Sequence, residues 1–270
     1  MSIARLPVIK EWLESWLLLA RNSTFVLASG LVDMVFFIAY GFLTAPVFDK
    51  LAEHVIVIGT LVSEQMRVAA GRARPAVIDT LFQQPVNQYT WQFAGLLAVL
   101  VLAVFVLFCI FQGLNWWLAT SVAGKKQQWR DFLLRFARVN LLWFGLYVVW
   151  YSIDTVFDLR RIVVEKATGQ AASAVAPFVL ALVLIVIAYF ALLSYPLLSI
   201  RKAFSIGVRH AIVLVPGMFL AGAHFLAANL ALRWLATVNA TAHFILGAVL
   251  LFIFLAWTRI FLTRLVQRVG

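Results

Sequence analysis

Asp33 is the first residue that could carry chemistry, because it sits near the middle of an apolar run, between Val32 and Met34. An aspartate at the centre of a membrane helix costs about 2.5 to 3.5 kcal/mol to insert, so it must face protein or water. Two roles follow. It lies on a pathway for protons or cations, or it holds helices together as a protonated or hydrogen-bonded acid. No basic residue is expected at its depth. Asp154 stands one turn before Asp158 and is followed by Arg160 and Arg161. That grouping reads as a solvated cluster at a helix end, or, turned inward, as the lining of an outer vestibule with Tyr151 and Ser152.

The histidines His54, His210, His224 and His243 share no helix at the spacing of a bundle metal site. His224 and His243 fall in neighbouring apolar segments and differ by about nine residues in depth, or about 13 Å, too far for one metal. His224 with Asn229 reads instead as an interhelical hydrogen-bonding site. Cys109 is the only cysteine, so no intrachain disulfide or thiolate cluster is available. No Walker loop, dinucleotide-binding glycine pattern or HExxH motif is present, and Leu27 to Gly30 lacks the first glycine of a Gly-x-Ser-Gly protease pattern. Neither a metal nor another cofactor is expected.

The elements that position these residues follow from composition. Hydrophobic residues make up 64% and charged residues 12% of the 270-residue chain, against about 45 to 50% and about 25% in soluble domains. Six segments are long and apolar enough to cross a bilayer: 24–43, 91–111, 139–157, 177–200, 211–232 and 242–262. The expected fold is an all-helical, six-span membrane bundle in a single domain. Net charge is +11, with the basic residues at the ends of apolar runs, which suits lipid and not nucleic acid.

Fourteen Lys and Arg lie on the side of the two termini and the second and fourth connections, including Arg259, Arg264 and Arg268 at the C-terminus; eight lie on the other side. The richer side is assigned to the cytoplasm, which places both ends inside. Glu11 and Glu14 interrupt the N-terminal apolar stretch, so a cleaved signal peptide is not expected.

Amphipathic segments flank the spans. At 7–21, Val8, Ile9, Trp12, Leu13, Trp16 and Leu19 recur at helical spacing while Lys10, Glu11, Glu14 and Arg21 take other positions, as in a helix lying on the membrane surface. A second inner elbow is expected at 124–138, with Trp129, Phe132, Leu133 and Phe136 on its apolar stripe. The outer connection, 45–90, is expected to hold one amphipathic helix over 46–70 carrying Leu51, Val55, Ile58, Val62 and Met66, with a shorter helix around Asp79, Leu81 and Phe82. Val55, Ile58 and Val62 form a candidate partner surface. In the fifth span, Gly217, Ala221, Gly222 and Ala223 offer a small-residue face.

The inner segments Trp129, Arg130, Asp131, Phe132, Leu133, Leu134, Arg135, Phe136 and Arg201, Lys202, Ala203, Phe204, Ser205, Ile206, Gly207, Val208, Arg209, with the order of elements, resemble prokaryotic six-helix membrane proteins of unknown function. These include the membrane domain attached to some glycerophosphodiester phosphodiesterases. The resemblance implies no active site that can be carried over, since no phosphodiesterase domain is present; the expected setting is a prokaryotic plasma membrane. The expected role is a non-catalytic scaffold, assembly factor or accessory subunit that contacts lipid and other membrane subunits or a second copy. A small-solute or ion transporter using Asp33 is the alternative, and a lipid-modifying enzyme a third.

Overall fold

The computed structural model describes residues 7–69, 84–125, 127–168 and 175–270. Among the described residues there are eight α-helices and no strand: α1 Pro7–Arg21, α2 Ser23–Ala69, α3 Val86–Val122, α4 Trp129–Thr168, α5 Val175–Leu197, α6 Ile200–Arg209, α7 Ala211–Val238 and α8 Ala240–Val269. Six of them, all but α1 and α6, are long and apolar enough to cross a membrane. Each contains one of the expected spans, apart from residues 198–200 at the end of the fourth.

Two boundaries differ from expectation. The first span and the outer amphipathic helix are one 47-residue helix that runs through Pro46, where about 20 residues suffice to cross. The inner elbow is likewise the first turns of the 40-residue α4, because no glycine or proline stands between Trp129 and Phe144 to stop the helix. The shorter helix expected at 79–82 lies outside the described residues.

The chain divides into two compact units, Met1–Asp33 with Cys109–Gly270, and Met34–Phe108. In the second unit α2 and α3 run as partners. His54 Nε2 pairs with Gln92 Oε1 at 3.2 Å, and Gln65 donates to the Gln84 carbonyl. Of the candidate partner surface, Val55 is exposed, as is its neighbour Ile56, whereas Ile58 and Val62 are half-buried. Leu51, from the same predicted stripe, is buried.

In the first unit α3 and α4 form a close hairpin at Gly113, where a Cβ would stand 2.5 Å from Leu133 and 3.1 Å from Phe136. Phe132 and Phe136 are fully buried, and Phe136 meets Tyr195 of α5 at 5.1 Å, so these two rings face protein, while Trp129 of the same stripe is exposed. After Leu198, a left-handed residue (φ 52°), α6 folds back on α5. The Tyr189 hydroxyl donates to the Gly207 carbonyl at 2.8 Å, and Phe190 stacks on Phe204 at 4.2 Å. Helices α7 and α8 pack closely where Gly217 faces Leu265. Of the expected small-residue face, Gly217 and Ala221 are buried, while Gly222 and Ala223 are exposed.

The half-buried indoles of helix α1 meet protein: Trp12 donates to His224 and Trp16 stacks on Trp257 at 5.0 Å. The buried face of α1 is Glu11, Ser15 and Leu19, flanked by these two indoles, and the side turned outward carries Leu13 and Leu17. Glu11 is therefore on the packed face and not the polar one. The reason is charge pairing with α8: Arg264 Nε donates to Glu11 Oε2 at 2.9 Å, Arg268 donates to Glu11 Oε1 at 2.8 Å, and Arg264 also pairs with Glu14.

Candidate functional site

Asp33 is fully buried, and its partner is Arg259 of α8. The two guanidinium nitrogens donate to the two carboxylate oxygens, Nη1 to Oδ2 at 2.8 Å and Nη2 to Oδ1 at 2.9 Å. This planar two-point geometry is the strongest that an arginine and a carboxylate can form. Three neutral side chains close the cluster. Asn115 Nδ2 donates to Asp33 Oδ1 at 2.8 Å and Gln112 Nε2 to the same oxygen at 3.3 Å; Gln112 Oε1 accepts from Arg259 Nη2 at 2.8 Å and Ser29 Oγ accepts from Nη1 at 3.1 Å. Every partner of Asp33 is a donor, so the acid acts as a carboxylate and not as the protonated clamp considered above.

The helices bring these residues to one level by matched register. Asp33 is ten residues from the start of α2, and Gln112 and Arg259 are each ten residues from the ends of α3 and α8. At about 1.5 Å per residue that is about 15 Å of helix in each case. A basic residue therefore does lie at the depth of Asp33, and Arg259 belongs to the bundle interior and not to the C-terminal tail. The sequence held two signals for this: Arg259 falls inside the sixth expected span, and buried charges in separate spans usually pair.

A second cluster surrounds His224. Its Nδ1 lies 2.7 Å from the Leu220 carbonyl and its Nε2 3.2 Å from Trp12 Nε1. A carbonyl only accepts and an indole only donates, so Nδ1 carries the hydrogen, Nε2 is bare, and the ring is neutral. Trp257 packs against this histidine at 5.2 Å, stacks on Trp16 at 5.0 Å and on Phe261 at 5.2 Å. The expected pairing of His224 with Asn229 is not formed: Asn229 is exposed, with no side-chain hydrogen bond among the described residues. His243 bonds the Leu232 carbonyl instead, and no group of three metal-ligating side chains is found among the described residues.

Asp154 is half-buried. Around it Tyr151 is exposed and the Ser152 hydroxyl donates back to its own helix at Val148. Asp158 pairs with Arg161 at 3.4 Å on the surface. Chemically, the Asp33 cluster can hold three helices in register, and its charges cancel within it. Comparison with protein-family models, with curated proteins and with solved structures finds no match for this chain.

Proposed function

We propose that this chain is a non-catalytic integral component of a prokaryotic plasma membrane, a scaffold or accessory subunit that crosses six times with both termini in the cytoplasm. The observation that carries this reading is the closure of Asp33. A pathway acid must exchange protons or cations with water, whereas this carboxylate is wholly buried and holds a guanidinium at two points. The transporter reading draws on one feature, Asn115 Oδ1, which is buried beside the pair with no hydrogen-bond partner.

The two readings part in reconstituted vesicles. The expected result is no proton- or cation-linked flux attributable to Asp33, together with recovery of a stoichiometric membrane partner in mild detergent that is lost when Val55 and Ile56 are both changed to Ser. A flux that vanishes in Asp33→Asn at unchanged folded yield would overturn the proposal in favour of transport.

The orientation rests on the basic residues, whose excess on the side of the termini survives the removal of Arg259 from the count. Reporter fusions after Arg130 and at the C-terminus should read cytoplasm, and one at Arg72 should read outside. A cytoplasmic signal at Arg72 sinks this topology.

A further inference from the structure

A cleft of about 640 Å³ opens where α3, the α5 to α6 turn and α8 end together, within the usual range of about 300 to 1,000 Å³ for small-molecule sites. Lys125 and Lys202 line it, with Ser205 and Gln267 as neutral hydrogen-bonding groups and Leu197 and Val266 as apolar floor. No Asp or Glu lines it, and neither lysine forms an ion pair among the described residues. A carboxylate at Gly270 would offset one lysine and leave the lining positive.

The bland account is that each lysine offsets the negative end of a helix. It serves for Lys125, which follows α3. It fails for Lys202, which with Arg201 stands in the first turn of α6, a turn without an acidic residue, where a cation opposes the helix dipole. A positively lined cleft that also sets cations against a helix start is stabilised by an anion. Helices α6 and α7 also expose Val208 and Ile212 (71% and 90%), apolar side chains suited to contact with acyl chains.

We propose that this cleft binds a phosphate group, carried either by an anionic phospholipid headgroup or by a soluble phosphate, with Lys125 and Lys202 as its cationic contacts. The site does not depend on the subunit reading above, since a transporter would carry it equally.

The test uses the full chain, delipidated in neutral detergent and titrated with phosphatidylglycerol, phosphatidylcholine and inorganic phosphate, read by native mass spectrometry and thermal shift. Phosphatidylglycerol should bind saturably and phosphatidylcholine should not. Lys125→Gln and Lys202→Gln should each weaken binding about fivefold and the double variant about twenty-five-fold, the scale of one lysine at an anionic surface. Lys202→Arg should keep binding, and Arg130→Gln, outside the cleft on α4, should leave it unchanged. Saturable lipid binding that millimolar phosphate leaves intact assigns the lipid source; protection or competition by phosphate assigns the soluble one. Anion binding that the double variant retains in full, or no preference for either anion over phosphatidylcholine, overturns the proposal.

Discussion

Arg259→Leu is expected to lose about 3 to 5 kcal/mol of stability, because it leaves the Asp33 carboxylate buried without its counter-charge. Asp33→Leu should lose a similar amount by stranding the guanidinium. The double variant should recover most of the loss, since replacing a whole buried pair by apolar groups is often nearly neutral. Asp33→Asn discriminates further. For a protonated, hydrogen-bonded acid Asn would be a mild change, but here Arg259 donates to both oxygens, and an amide supplies neither the second acceptor nor the charge. Its loss should therefore approach that of Leu. Thermal unfolding in detergent, analysed as a double-mutant cycle, measures the coupling. Single variants as stable as the parent would mean that the pair does not hold the bundle.

The six spans were legible because a helix in lipid satisfies its own backbone and needs only length and apolarity, which is what 93–111 displays without a charged or amide side chain. Pairing between spans was not legible in the same way. Counting basic residues by connection assigns Arg259 to the nearest end, yet α8 continues ten residues past it to Val269, which puts its side chain at the level of Gln112 and Asp33. Hydrophobic periodicity misled for Glu11 for a related reason. A charged residue on an amphipathic helix is assumed to face solvent, but Arg264 and Arg268 lie on the neighbouring helix and draw Glu11 inward. In both cases the missing information was which helices touch, and a single sequence carries no contact map.

The same contacts set the second large effect. Trp257→Ala should cost about 3 to 5 kcal/mol, the range for deleting a buried aromatic ring, and should also release α1. The indole is fully buried and sits between Trp16 of α1 and Phe261, nearly parallel to both at 15° and 6°, so its removal empties the surface on which α1 rests. The Glu11 pairs with Arg264 and Arg268 and the Glu14 pair with Arg264 remain, so the release of α1 measures the share of its anchoring that the ring carries. Trp257→Phe should behave differently. It keeps most of the stacked area and removes Nε1, a buried donor with no partner, whose desolvation costs about 1 to 3 kcal/mol; the gain offsets much of the lost volume, and the variant should be close to the parent. Trypsin reads out the release of α1, through cleavage at Lys10 and Arg21, which should accelerate in the Ala variant and stay slow in the Phe variant. Equal protection in both, with parental stability, would show that α1 is anchored by its carboxylates and not by the stacked rings.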